Sequence, residues 1–376
     1  VVSVPGSARD PAGGSRPRIT GPLNRRQGLI QVLNGLGSAL CASAPVSIAH
    51  EPARGAEDVP QHPRLEGSFI QLWRRHFAWT RADWSALLQD IEALGLSTLI
   101  VQWSRYDALR FDHPLHGSGQ PDSPLGRLAR ASIGRSVRLM MGLWHDPAWW
   151  RHPELQGPAL RERLDRWVDG ALDQARMLAP LVRAVPAFEG WYLTEEVDVR
   201  SWSPSARLHA LGEALERLST GLDRMMPGAL LALSGFGDRR DSPEQGADFW
   251  SSLFDRVPRL DRLLLQDGIG VGHDDPSGWA RRLRAVEQAF ARSSRPAARA
   301  RPELWAVVET FRQQSEAGAP FRARPATLPE LVTQLDSAAF VTRRIAFSAP
   351  DYMVPSAGPL AARLYRDYRA HVGLID

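Results

Sequence analysis

Three acids fall within four positions at the end of Phe188-Glu189-Gly190-Trp191-Tyr192-Leu193-Thr194-Glu195-Glu196-Val197-Asp198. The residues before them read as a short buried strand that runs out into carboxylates. A second segment repeats the pattern: Leu304-Trp305-Ala306-Val307-Val308, then Glu309. A pair of carboxyl groups is the equipment for breaking a glycosidic bond. One protonates the leaving oxygen, while the other attacks the anomeric carbon or activates a water. Glu196 and Glu309 are expected to form that pair, Glu196 as general acid/base and Glu309 as nucleophile, or as base in an inverting enzyme. The spacing expected is ~5–5.5 Å for retention and ~6.5–9.5 Å for inversion.

Side-chain alternation separates Glu196 from Glu195. Successive strand residues point to opposite faces. Trp191 and Leu193 suit a helix-packed outer face, and Glu195 shares their parity. Tyr192 and Thr194 then face inward, and so does Glu196. A bulge at the strand end would upset this count. Glu195 could instead pair with Arg200, Asp198 could cap the following loop, and Glu309 could pair with Arg312.

The elements that must carry these residues alternate in type. Strands are expected at Leu65–Leu72, Ser97–Trp103, Val137–Trp144, Phe188–Asp198, Ala229–Ser234, Leu260–Asp267, Pro302–Glu309 and Arg344–Ser348. Between them apolar residues recur at helical spacing. Trp84, Leu87, Leu88, Ile91 and Leu94 follow a Thr80 N-cap and stop at Gly95. A long helix runs from Leu160 to Leu178 and ends near Pro180. Another opens at Ser203-Pro204 and carries Leu208, Leu211, Leu215, Leu218 and Leu222. Later helices are expected at Trp279–Ala291, at Thr327–Phe340 with Thr327 and Glu330 as a capping box, and at Leu360–His371. Eight strands alternating with helices describe a (β/α)₈ TIM barrel, an α/β fold in one domain over residues 65–376. The alternative, an open doubly wound sheet, would carry in its dinucleotide-binding form a glycine-rich turn after the first strand, and none is present.

In such a barrel, function gathers at the C-terminal ends of the strands. The residues expected to contact substrate there are Gln71, Trp103, Arg105, Tyr106, Trp144, His145, Tyr192, Asp198, Trp202, Gln266, Asp267 and Tyr352. Amides and carboxylates suit sugar hydroxyls, and indole faces suit the apolar face of a pyranose. Trp103, Trp144, Trp149, Trp150 and Trp202 are the candidate platforms. Asp267 precedes Gly268 and reads equally as a site residue or a turn residue. His145-Asp146 and His273-Asp274-Asp275 lack the helical spacing of a metalloprotease site, so no metal or cofactor is expected.

All 46 basic residues are arginine, which excludes Schiff-base, pyridoxal-phosphate and P-loop lysine chemistry. The net charge of +4 comes from five arginines against Asp10 in residues 1–49, so the remainder is neutral and offers no footprint for nucleic acid. The one cysteine, Cys41, lies in the same stretch. Arg25-Arg26, a glycine-containing apolar run and Ser47-Ile48-Ala49 have the layout of a twin-arginine export signal cut before His50, with residues 50–64 as a linker. The run is too short to span a membrane. A periplasmic or secreted monomer without stable membrane insertion is expected.

Four segments, Gly67–Trp73, Gly190–Asp198, Leu265–Gly272 and Leu304–Phe311, resemble a bacterial domain family of TIM-barrel fold grouped with glycoside hydrolases. Its fourth-strand motif resembles Gly-Trp-Tyr-aliphatic-Pro-x-Glu-aliphatic-Asp. Here Thr194 stands in place of the proline, and the match puts the family's glutamate on Glu196. An acid on strand four and a glutamate on strand seven are also similar to the largest clan of retaining glycosidases. The resemblance implies hydrolysis of an oligo- or polysaccharide, here of an exopolysaccharide or cell-envelope glycan. The competing readings are a non-catalytic glycan-binding barrel, which would keep the aromatic platforms without a correctly spaced acid pair, and more distantly a lyase or a deacetylase.

Overall fold

The computed structural model describes residues 62–117, 122–293, 300–316 and 319–375. The leader, Cys41 and the linker up to residue 61 lie outside the described residues. Eight parallel strands close into a barrel: β1 Gly67–Ile70, β2 Thr98–Val101, β3 Arg138–Gly142, β4 Phe188–Asp198, β5 Leu230–Phe236, β6 Arg262–Gln266, β7 Glu303–Glu309 and β8 Arg343–Phe347. Each pairs with its sequence neighbours, and β8 returns to β1 through Gly67↔Ile345 and Ser68↔Ala346. The expected single-domain TIM barrel is the observed fold, with strand ends shifted by at most two residues.

Alternation writes the two layers of the core. Phe69, Ile100, Met140, Tyr192, Ala232, Leu264, Trp305, Val307, Ile345 and Phe347 form one cluster on the barrel axis. Their strand neighbours, among them Trp191, Leu193, Leu263, Leu265, Val308 and Ala346, join the larger cluster beneath the helices. A closed parallel sheet is covered on its outer face by helices, so its strands are apolar on both faces.

The helices are α1 Arg81–Ala93, α2 Pro124–Ser132, α3 Gly157–Arg183, α4 Ser205–Met225, α5 Pro243–Arg256, α6 Pro276–Ala291, α7 Leu328–Ser337 and α8 Pro359–His371. Thr80 and Asp83 cap α1 reciprocally, and Gly95 ends it with φ +75°. Thr327 and Glu330 form the expected capping box on α7. Helix α3 does not end at Pro180. It continues to Arg183, because a proline in the last turn removes one hydrogen bond while Leu178, Ala179 and Val182 stay buried. Two helices were not expected. α2 is short, glycine-containing and arginine-rich. α5 follows Ser242-Pro243-Glu244-Gln245, a capping box readable in the sequence.

The N-terminal end of the barrel is plugged. The Arg262 guanidinium lies 4.2 Å from the Trp305 ring centroid, and that of Arg343 lies 5.1 Å from it. Arg262 also pairs with Glu189 (2.9 Å) and Glu303 (3.0 Å). Close by, Arg344 pairs with Glu66 (2.5 Å), and the Leu65 backbone N–H donates to the Tyr368 hydroxyl of α8 (2.8 Å). The opposite, C-terminal end is the mouth.

Candidate active site

Glu309 ends β7 and keeps the parity of Trp305 and Val307, so it belongs to the axis side of the strand. It is fully buried. The loop after β6 wraps it. The Val271 backbone N–H donates to Glu309 Oε2 (3.1 Å). A Cβ on Gly270 would stand 2.8 Å from both Cβ and Oε2 of Glu309 and 2.5 Å from the Phe311 carbonyl, so only glycine fits there.

Arg312 does not neutralise this carboxylate. Its guanidinium goes to the carbonyls of Glu309 (3.4 Å) and Phe311 (2.8 Å), to Gln334 Oε1 (2.7 Å) and to Glu330 (3.6 Å).

Asp267 stands behind Glu309 rather than beside it in the mouth. It shares the parity of Leu263 and Leu265, which face the helices. Its Oδ2 accepts from the Glu309 backbone N–H (3.3 Å) and from Gln334 Nε2 (2.5 Å), and its Oδ1 from the Ile269 N–H (3.1 Å). Gln334 Nε2 also donates to the Glu309 carbonyl (3.1 Å). Burial, and next the charge of Glu309, push the Asp267 carboxyl up to about 7 against the pull of those donors. Asp267 therefore holds backbone rather than substrate. Its inward neighbour by parity is Gln266, which is buried.

On β4 the inner parity holds through Tyr192, whose hydroxyl is 2.6 Å from Ser234 Oγ. A register shift then intervenes. Leu193 pairs with Leu233 and Val197 with Gly235, four residues of β4 against two of β5. The bulge that could have upset the count is present, and the two glutamates take different partners. Glu196 Oε1 accepts from Gln102 Nε2 (3.3 Å), whose Oε1 accepts from Gln71 Nε2 (2.7 Å). Gln71 and Gln102 follow Phe69 and Ile100 at axis parity, so this chain crosses the mouth over β1, β2 and β4. Glu195 turns the other way, with Oε2 2.8 Å from His145 Nδ1 and Oε1 accepting from the Asp146 N–H (2.7 Å). Arg200 is not its partner and pairs with Asp241 (3.3 Å) and Asp238 (3.5 Å).

The aromatic lining needs correction. Trp103, Trp149 and Trp202 are fully buried, so they have no open face for a sugar. Trp103 donates to the Leu72 carbonyl (2.8 Å) and Trp149 to the Glu196 carbonyl (2.9 Å), while Trp202 stacks on His152 with centroids 4.5 Å apart. Trp144 sits against Gly170 of α3, with the Arg105 guanidinium 5.1 Å from its ring centroid. His145 is buried against Glu195. The half-buried rings at the mouth are Trp73, Tyr106, Trp150 and Tyr352. Asp198 caps the turn Val199–Trp202 by accepting from the Ser201 N–H (2.7 Å).

Three groups were missed from sequence. Gln334 lies on a helix far along the chain, and His152 in an irregular turn. Gly270 carried a signal, since Gly268, Gly270 and Gly272 alternate after Asp267, and such runs mark close backbone approach.

A partly open cleft of about 100 Å³ lies between the loops after β4 and β5, lined by Trp150, His152, Asp198, Arg200, Phe236 and Asp241 among others. A wider groove, about 580 Å³, runs outside the barrel between α3 and α4, away from the strand ends. Among the described residues no group of three or more His, Cys, Asp or Glu could hold a metal ion, and no helix is long and apolar enough to cross a membrane.

Residues 65–358 match the family model described as Domain of unknown function (DUF4434). The chain belongs to that family. The uncharacterized protein YbcH of Escherichia coli K12 is 29% identical to it over 143 residues, 38% of this chain and 45% of that protein. The match thus spans less than half of the curated relative. Among solved structures, a putative alpha-L-fucosidase from Bacteroides thetaiotaomicron superposes with TM-score 0.65 at 17% identity, over 88% of this chain and all of that one. The endo-beta-1,4-mannanase of Thermotoga petrophila gives TM-score 0.52 at 13% identity, covering 83% and 77%. The beta-galactosidase of Marinomonas ef1 gives 0.51 at 11%, covering 83% and 61%. At these identities the likeness is one of fold.

Proposed function

We propose that this DUF4434 protein is a glycoside hydrolase that cleaves a glycosidic bond in an exopolysaccharide or cell-envelope glycan. Glu196 would serve as general acid/base and Glu309 as nucleophile. One observation carries the reading: Glu196, near the end of β4, and Glu309, at the end of β7, stand at one end of the same barrel, each accepting from a neutral donor, Gln102 Nε2 or the Val271 N–H. Similarity of fold to proteins named as glycosidases supports it.

In the first step the Glu196 carboxyl donates its proton to the glycosidic oxygen as the C–O bond breaks, and a Glu309 carboxylate oxygen bonds to the anomeric carbon. In the second, Glu196 takes a proton from water, whose oxygen displaces Glu309. The Gln71–Gln102 chain would orient Glu196, and Asp267 with Gln334 would fix the backbone that carries Glu309. The Arg25-Arg26 leader would deliver the enzyme to the periplasm or the medium, which fractionation of cells expressing the full chain would test.

Glu196→Gln and Glu309→Gln should each lower turnover by about a thousandfold or more with the fold unchanged. Azide added to Glu309→Ala should return activity as a glycosyl azide of inverted anomeric configuration. Full turnover by either glutamine variant would remove that residue from the mechanism.

A further inference from the structure

The cleft between the loops after β4 and β5 contains a polar group that the protein leaves unanswered. His152 is fully buried and stacked on Trp202, and its Nδ1 lies 2.8 Å from the Trp149 carbonyl. A carbonyl oxygen only accepts, so Nδ1 carries the hydrogen. Among the described residues Nε2 has no hydrogen-bond partner. It lies 3.6 Å from Asp198 Oδ2, beyond hydrogen-bond reach. Asp198 Oδ1 is occupied by the Ser201 N–H, so Oδ2 is the oxygen turned toward the histidine.

Nε2 and Asp198 Oδ2 therefore stand side by side, too far apart to hydrogen-bond to each other. Two neighbouring O–H groups would satisfy both. Trp150 and Phe236, with centroids 6.1 Å apart, provide apolar walls in the same cleft. Arg200 spans to Asp241 and Asp238 at the rim, and Arg240 also pairs with Asp238. Both guanidiniums of the lining are already paired with its carboxylates, which disfavours an anionic ligand. The cleft neighbours the candidate acid along β4. Asp198 lies two residues beyond Glu196 on β4, and Trp149, next to Trp150, donates to the Glu196 carbonyl.

We propose that this cleft is a sugar subsite adjoining Glu196. It would take a neutral pyranose, with adjacent hydroxyls donating to His152 Nε2 and Asp198 Oδ2 and the ring lying on Trp150. The assignment of this site as a substrate subsite rests on the hydrolase reading, but its occupation by sugar can be tested without turnover.

The probes are the methyl pyranosides of glucose, galactose, mannose, xylose and fucose, with methyl glucuronoside as the charged comparison. Crystals of the full chain soaked with each should show at least one neutral sugar in the cleft, with hydroxyls on His152 and Asp198. Titrations in solution should show binding weakened about tenfold or more by Trp150→Ala and by Asp198→Asn, and weaker binding of the glucuronoside. The asparagine keeps a capping oxygen for Ser201, so its effect is separable from misfolding. An empty cleft with every probe, or binding that neither variant changes, overturns the proposal. If the cleft variants bind normally while Glu196→Gln abolishes turnover, the subsite falls and the hydrolase stands. If sugar fills the cleft while both glutamine variants turn over normally, the subsite stands and the hydrolase falls.

Discussion

Asp267 offers a test of how Glu309 is held. Its folded pKa of about 7 lies above its ordinary value of 3.8, with burial as the main cause and the Glu309 charge second. A carboxyl raised in this way holds its proton more tightly in the folded chain than in the unfolded one. Its contribution to stability is complete below pH ~4 and is lost as pH rises toward 7. The difference of roughly three units corresponds to about 4 kcal/mol lost across that window. Asp267→Asn removes the titration. It also lowers stability at acid pH, because an amide cannot accept from the Glu309, Ile269 and Gln334 donors together. Urea unfolding followed by tryptophan fluorescence, at intervals from pH 4 to pH 8, would compare the two proteins. The wild type should be the more stable at pH 4, and its advantage should shrink by up to ~4 kcal/mol by pH 8. An advantage that stays constant with pH would refute the raised carboxyl, and with it the claim that Asp267 feels the charge of Glu309.

Gly270→Ala places a methyl group against Glu309 and the Phe311 carbonyl. Activity on any glycan the protein cleaves should fall about a hundredfold, with a loss of ~1–3 kcal/mol in urea unfolding. Trp202→Ala removes a fully buried ring stacked against both Trp149 and His152, and should cost ~3–5 kcal/mol by the same assay. Arg262→Met strips the guanidinium from the Trp305 face and leaves the largely buried Glu189 without its 2.9 Å partner. It should lower stability by ~3–5 kcal/mol while leaving any glycan turnover at the mouth unchanged.

Much of the fold was legible because alternation and helical period leave marks in the sequence. Trp305, Val307 and Glu309 share one face of β7 and Leu304, Ala306 and Val308 the other, so composition along the strand already assigned Glu309 to the axis. On β4 the bulge between Leu193 and Val197 interrupts the count, and Glu196 meets Gln102 while Glu195 meets His145. Packing of tryptophans did not show in the sequence. Trp103, Trp149 and Trp202 follow strand ends, but the segments after β3 and β4 fold back as short helical turns and bury Trp149 and Trp202, while Trp103 tucks its indole under Leu72. Burial of a ring after a strand end depends on how the loop closes over it, and alternation carries no information about that. Asp267 was placed at the mouth because it ends a strand. Its partner Gln334 sits 67 residues away, a separation that local pattern does not bridge.

The closed end of the barrel also sets how the molecule can be attached to anything else. The His62 and His371 rings lie 4.3 Å apart, beside the Leu65–Tyr368 hydrogen bond, so the described chain enters and leaves at the face opposite the mouth. A fluorophore, a surface linkage or a fused domain joined near either position would leave the mouth turned outward into the medium. For the same reason, joining these two positions by a short peptide and opening the chain in a helix–strand connection on the closed face would give a circular permutant whose mouth keeps every contact described here.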